Sequence, residues 1–154
     1  MASRALSKES AFALNIGIAF KHCDPAGMVF YPRYVEMLND VVEAWFEQGL
    51  GCDYQSLHLQ RRVGIPTVSL ECQFTRPSRL GDRLVARLRV ERIGKSSVAL
   101  EHRIADRDRP DDLRLTARHV IVFVQMDSTT PIAVPHDIAT AMRSYLTTDG
   151  ASDD

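Results

Sequence analysis

The chain has 154 residues, enough for one domain that buries roughly two thirds of the unfolded surface. Hydrophobic residues make up 45%, charged residues 25%, and the net charge is −1, a balance that argues against a general nucleic-acid or membrane-surface role. The cysteines, Cys23, Cys52 and Cys72, are odd in number and lack CxxC spacing, which speaks against a disulfide framework or a structural zinc site. No apolar h-region opens the chain, and no apolar run is long enough to span a bilayer. The expectation is a cytoplasmic enzyme or binding protein, a single domain over 1–154 with an ordered core over about 11–146.

In chain order, Met1 to about Ser10 is polar and predicted to fray. Phe12 to Phe20 alternates in part and predicts a first strand. His22 to Gly27 is a turn, punctuated by Asp24-Pro25 and Gly27. From Pro32 the period changes: Val35, Leu38, Val42, Trp45 and Phe46 share one face of a helix of about 17 residues. Pro32 suits its first turn, and Gly49 and Gly51 end it. A shorter helix is predicted from Asp53 to about Arg61.

Four strands follow. Thr67 to Thr75 is read with Val68, Leu70, Cys72 and Phe74 on one face. Leu84 to Glu91 and Val98 to Ile104 alternate cleanly, and Gly94-Lys95-Ser96 joins them as a hairpin. Asp106 to Asp112 is a charged loop, and Leu113 to Val124 is a long last strand. Pro135 to Leu146 is predicted as a short helix; Thr147 to Asp154 is predicted to be disordered. One strand, a long amphipathic helix and four consecutive strands make an α+β chain. Its predicted form is a hotdog fold, a curved five-stranded antiparallel sheet wrapped around one long central helix. The uncovered sheet face and any open edge favour a homo-oligomer.

Two features carry candidate chemistry. From Arg76 to Lys95 there are seven basic residues against two acidic ones, a solvated strand face or a dock for a polyanionic ligand. Asp24 sits in a turn just before the helix N-terminus. Proline at position 25 pushes it out of helical backbone, and Gly27 lets a ligand approach the chain. Free N–H groups at the helix start can polarise a carbonyl, and a carboxylate opposite can attack that carbonyl or activate water. Spacing alone leaves open a plain turn or cap. His22 either tunes Asp24 or holds the loop by local hydrogen bonds, and Cys23 reads as a packed thiol. His58, His102, His119 and His136 show no metal-ligand spacing; His102 and His119 face each other on adjacent predicted strands.

The run His22-Cys23-Asp24-Pro25-Ala26-Gly27-Met28-Val29-Phe30-Tyr31-Pro32-Arg33-Tyr34 closely resembles the signature of 4-hydroxybenzoyl-CoA thioesterases of the Pseudomonas type. The likeness continues through Gly64 to Ser69 and the Glu91 to Ser97 hairpin, covering about Phe12 to Pro135. It implies that Asp24 is the catalytic carboxylate, as nucleophile or general base, and that the Tyr31 N–H polarises the thioester carbonyl. It implies substrate contacts at His22, Gly27, Tyr34 and Asn39, with Thr67 and Ser69 on a strand passing the site. It implies CoA contacts at Arg92, Gly94, Lys95 and Ser96. Three positions depart from the pattern. Asn39 stands where the 4-hydroxybenzoyl enzymes carry an Asp that accepts a phenolic hydroxyl, and Ile93 and Gly94 replace arginines. Arg79 and Arg83 are further cations for CoA.

The implied activity is hydrolysis of an aromatic or short acyl-CoA thioester to free acid and CoA, with no cofactor and no metal. Alternatives are the same chemistry on an acyl-carrier-protein thioester, or a non-catalytic acyl-CoA-binding hotdog protein. The expected partners are the acyl-CoA substrate and further copies of this chain, as a dimer or homotetramer, with no nucleic acid and no membrane.

Overall fold

The 3.6-residue spacing of apolar side chains produces helix α1, Tyr31–Ala44, in a computed structural model that describes residues 10–147. The predictions for the two tails fall almost wholly outside the described residues. Pro32 lies in the first helical turn, where its missing N–H costs nothing. The buried stripe is Tyr34, Met37, Leu38, Val41 and Val42, rotated slightly from the one predicted, so that Val35 lies at its margin. The helix then widens into a π turn, Trp45–Gly49, with the Leu50 N–H bonded to the Trp45 carbonyl at 2.9 Å. A Cβ on Gly49 would lie 2.7 Å from both Trp45 Cδ1 and the Tyr145 hydroxyl, so only glycine fits there. The predicted second helix is a single π turn, Gln55–Gln60.

Strands β1 (Phe12–Gly17), β2 (Val63–Gly64), β3 (Thr67–Phe74), β4 (Arg83–Ile93), β5 (Ser97–Asp106), β6 (Leu113–Val122), β7 (Val124–Gln125) and β8 (Thr130–Pro131) follow in chain order around α1 and the C-terminal helix α2, His136–Met142. Five form one antiparallel sheet in the order β1-β4-β5-β6-β3. The short β2, β7 and β8 form a second sheet that the sequence reading did not predict. The first strand ends at Gly17, not Phe20, because the chain tightens into a 3₁₀ turn over Phe20–His22. The strand predicted to run to Val124 breaks at Phe123, and its end joins the small sheet instead.

One long helix lies against one face of this five-stranded sheet, which is the hotdog fold. From the sheet, Leu84, Leu88, Leu100, Ile104, Leu115 and Ile121 face Leu38, Val41, Trp45 and Phe46 of the helix, all buried. Each such aliphatic side chain contributes about 1.5–3 kcal/mol by leaving water. Ile138 and Met142 of α2 close the same core.

Strand β3 departs most from its prediction. A bulge between Thr67 and Ser69 turns Val68 out of the inner face and leaves Thr67 opposite Ile121. Thr67, Leu70, Cys72 and Phe74 therefore share the inner face, while Val68 is 59% exposed. β3 is also an edge strand, with one row of backbone groups outside the sheet's pairing among the described residues.

Candidate active site

Asp24, Pro25, Ala26 and Gly27 make a turn closed by the Gly27 N–H on the Asp24 carbonyl at 2.9 Å. Proline at the second position and glycine at the fourth suit such a turn, and Gly27 has φ of +79°. The turn is the tip of a miniature hairpin: Cys23 bridges Val29, and the Asp24 N–H bonds the Met28 carbonyl at 2.9 Å. The Phe30 N–H bonds the His22 carbonyl at 2.9 Å, which seats the hairpin against the start of α1.

The Asp24 carboxylate is only partly buried. Its Oδ1 accepts the Ala26 N–H at 2.9 Å, and no protein donor reaches Oδ2 among the described residues. It lines a cavity of about 300 Å³ together with Lys21, Cys23, Pro25, Phe30 and Arg33. Lys21 and Arg33 stand at this mouth beside the Asp24 carboxylate, and Arg33 is paired with Glu36 at 2.8 Å. One residue past Phe30, the Tyr31 N–H begins α1 and has no acceptor among the described residues. Pro32 has no N–H, and the Arg33 N–H is taken by the Phe30 carbonyl at 2.8 Å. Tyr31 therefore holds the free donor at the positive end of the helix dipole.

His22 takes the local role. Its Nδ1 accepts the Ala19 N–H at 2.8 Å, closing the 3₁₀ turn before the hairpin. Burial pushes its pKa down, Lys21 and Arg33 push the same way, and Glu36 and Asp40 oppose them. The tautomer with the proton on Nε2 fits this bond. Tyr34 lies beneath the site rather than on its surface: its ring is buried 5.7 Å from Phe74, and its hydroxyl donates to Ser78 Oγ at 2.7 Å. Phe30, which lines the cavity, continues into an exposed aromatic row with Tyr31 and Phe74; the three are 48%, 63% and 49% exposed, and successive rings are tilted by 59° and 75°.

The other predicted residues lie elsewhere in the chain. Asn39 is exposed on α1, about two turns beyond Tyr31. Thr67 and Ser69 start β3, whose far end carries Phe74 beside Tyr31 and Tyr34. Arg92, Gly94, Lys95 and Ser96 form the β4–β5 hairpin, clamped by the Phe123 N–H on the Ser96 carbonyl and the Val134 N–H on the Lys95 carbonyl, each at 2.8 Å. This hairpin lies at the Thr67 end of the sheet, since Val98 and Thr67 both pair with Ile121. The Asp24 hairpin lies at the other end, where Gly17 pairs with Arg83 and Met28 with Arg79. One chain thus brings together Asp24, Tyr31, His22, Gly27 and Tyr34, and keeps the candidate CoA hairpin apart from them.

One feature went unread in the sequence, and one expected facing pair is present. Ser78 and Arg114 support the Asp24 hairpin from behind; an arginine among apolar neighbours at Leu113 and Leu115 was the one available signal. His102 and His119 are a buried pair, Nε2 to Nδ1 at 3.1 Å, continued by His119 Nε2 to Thr67 Oγ1 at 2.7 Å. Among the described residues no three His, Cys, Asp or Glu side chains are grouped to hold a metal ion, and no helix is long and apolar enough to cross a membrane.

Residues 18–142 match the profile described as the thioesterase-like superfamily. The chain belongs to that superfamily. It is 25% identical over 118 residues to a 1,4-dihydroxy-2-naphthoyl-CoA hydrolase of Rippkaea orientalis, covering 75% of this chain and 85% of that one. A solved 1,4-dihydroxy-2-naphthoyl-CoA thioesterase from Synechocystis superposes with a TM-score of 0.79 at 19% identity, covering 86% of this chain and 96% of that one. A gentisyl-coenzyme A thioesterase superposes with a TM-score of 0.74 at 22% identity, covering 85% and 99% respectively. At these identities the two superpositions speak for the fold. The superfamily member's Asp24 hairpin and the first turn of α1 both lie within the matched residues.

Proposed function

We propose that this protein hydrolyses an acyl-CoA thioester, with an aromatic or short acyl group, through Asp24 and the Tyr31 N–H. The observation that carries this reading is the pairing of a carboxylate oxygen that has no protein donor with a free helix N-terminal N–H at the same loop–helix junction. The thioester carbonyl oxygen accepts the Tyr31 N–H, which stabilises the negative charge that develops there. Asp24 Oδ2 then either adds to the carbonyl carbon or takes a proton from water that adds. In the first route the C–S bond breaks, CoA leaves as thiolate, and water hydrolyses the resulting anhydride to free acid and Asp24. In the second, the tetrahedral adduct expels CoA directly.

The exposed, mutually angled rings of Phe30, Tyr31 and Phe74 offer apolar faces and edges against which a planar acyl group can pack. Relatives named for 1,4-dihydroxy-2-naphthoyl and gentisyl thioesters support the aromatic side of this reading. The likeness of the Asp24 segment to 4-hydroxybenzoyl-CoA thioesterases belongs to the same reading. Asn39 in place of the acidic residue makes a 4-hydroxybenzoyl preference the less favoured choice within it.

The working form is a homo-oligomer, a dimer or a homotetramer. The open β3 edge, with Val68 and Phe74 exposed, supports pairing between copies. The separation of Asp24 from the Arg92–Ser96 hairpin within one chain supports a site that draws its CoA contacts from a neighbouring copy. The test is a panel of aromatic, short and long acyl-CoA thioesters, with matched acyl-carrier-protein thioesters beside them. The reading expects turnover on CoA thioesters, highest for aromatic or short acyl groups. Binding of CoA with no hydrolysis of any acyl group would contradict it.

A further inference from the structure

The hydrolysis proposed above leaves one buried charge without a role. The side chain of Arg114, on β6, is 8% exposed and meets three carboxylates. Nε and Nη2 donate to the two oxygens of Asp112 at 3.2 and 3.1 Å, a two-point grip. Nη1 donates to Asp82 Oδ2 at 2.8 Å, and Nη2 lies 3.6 Å from Asp106 Oδ2. Nη1 also reaches the Pro77 carbonyl at 3.2 Å and Ser78 Oγ at 3.1 Å. Arg76 shares Asp112 at 3.0 Å, and the three carboxylates still outnumber the two cations. They tie two separate loops, Pro77–Asp82 and Asp106–Asp112, to the Arg114 guanidinium.

What those loops hold is the candidate site. Ser78 is fully buried. Its carbonyl accepts the Val29 N–H at 2.8 Å, and its Oγ accepts the Tyr34 hydroxyl at 2.7 Å. Beside it, Arg79 bridges Met28, and Asp82 Oδ2 accepts the Arg79 N–H at 2.9 Å. Met28 in turn accepts the Asp24 N–H at 2.9 Å. The Pro77–Asp82 turn therefore touches both halves of the site: the Asp24 hairpin through Met28 and Val29, and the first turn of α1 through Tyr34.

We infer that Arg114 is a positioning residue for the site, fixing the Pro77–Asp82 turn against which the Asp24 hairpin and the start of α1 are set. The inference rests on the reading of Asp24 and Tyr31 as the reacting pair. Arg114 contacts neither of them. Its planar fork serves Asp112 along one edge and Pro77, Ser78 and Asp82 along the other, which the single ammonium of a lysine cannot do. A carboxylate displaced by a fraction of an ångström from its carbonyl target loses rate steeply, so the effect falls on kcat before KM.

The test compares Arg114→Met, Arg114→Lys and Ser78→Ala with Arg118→Met, which alters an exposed arginine on the same strand. Two quantities are read: kcat and KM on the best acyl-CoA substrate, and hydrogen exchange at the Asp24 and Val29 amides well below the unfolding temperature. The expected result for Arg114→Met is a kcat loss of about tenfold to a hundredfold with KM within about twofold, and faster exchange at both amides. Arg114→Lys recovers part of the rate, and Arg118→Met changes neither quantity. Ser78→Ala keeps the pairing of Arg114 with its carboxylates, so it is informative even if Arg114→Met does not fold. It is expected to lower kcat several-fold and speed exchange. Wild-type kcat and wild-type exchange in a folded Arg114→Met, or in Arg114→Lys where the methionine variant does not fold, would overturn the inference. If the wild-type protein hydrolyses no thioester, the proposed activity fails by itself, and the exchange measurements still decide whether Arg114 fixes the hairpin.

Discussion

Asp24 Oδ1 accepts the N–H of Ala26, two residues along the chain, at 2.9 Å. The carboxylate is thus oriented by its own turn, with one oxygen held and the other without a protein donor among the described residues, at a cavity Asp24 shares with Lys21 and Arg33. The turn depends on Gly27, whose φ of +79° disfavours any side chain although nothing lies within 4 Å of a Cβ there. Gly27→Ala is expected to cost about 1–2 kcal/mol through backbone strain alone. Denaturant unfolding gives that cost, and kcat is expected to fall with it as the hairpin tip relaxes.

The β3 edge makes a second prediction. Val68 is 59% exposed on a strand with one row of backbone groups outside the sheet's pairing among the described residues. If copies pair there, Val68→Lys inserts a charge into the contact and is expected to shift the protein toward monomer in sedimentation velocity, with loss of turnover. An unchanged assembly state with full activity removes β3 as the contact.

Arg92 and Lys95, both exposed on the β4–β5 hairpin, are expected to bind CoA phosphates. Replacing both with alanine is predicted to raise KM about tenfold and leave kcat near wild type, because such contacts are equal in ground and transition states. Added salt is expected to raise the wild-type KM more than that of the double variant. A kcat effect without a KM effect would point to a different role for the hairpin.

The buried His102–His119 pair predicts an acid-sensitive fold. Burial, reinforced by His119, pushes the His102 pKa down to about 3 from 6.5, and burial lowers that of His119 too. Below 6.5 the unfolded chain takes up protons that the native pair refuses, so stability is full above that pH and drains away as pH falls toward 3. Melting temperature measured from pH 7.5 down to 4 is expected to fall in the wild-type protein and to fall less steeply in His102→Leu. Parallel curves would show that other groups govern the acid limb.

Much of the fold could be read from residue order. The 3.6-residue spacing into Trp45 and Phe46 and the alternation of β4 and β5 are local signals, and local signals survive folding. The β3 prediction went astray at Val68 because a bulge reverses every alternation assigned before it, and nothing in Thr67-Val68-Ser69 announces one. The turn at Asp24 was legible because Asp, Pro and Gly each have a fixed steric meaning. The support behind it was not. Arg114 takes Asp112 from two residues away, but Asp82 lies far back along the chain and Asp106 at the other end of the β5–β6 loop, and the sheet's register brings them to one guanidinium.

The central claim is that Asp24 carries the chemistry, and Asp24→Asn tests it most directly. The amide oxygen can still accept the Ala26 N–H, so the turn and the melting temperature are expected to be kept. The variant is then assayed against the CoA thioester that the wild-type protein hydrolyses fastest. The account predicts a kcat lower by about a hundredfold to ten-thousandfold. Wild-type turnover by a folded Asp24→Asn protein would contradict it.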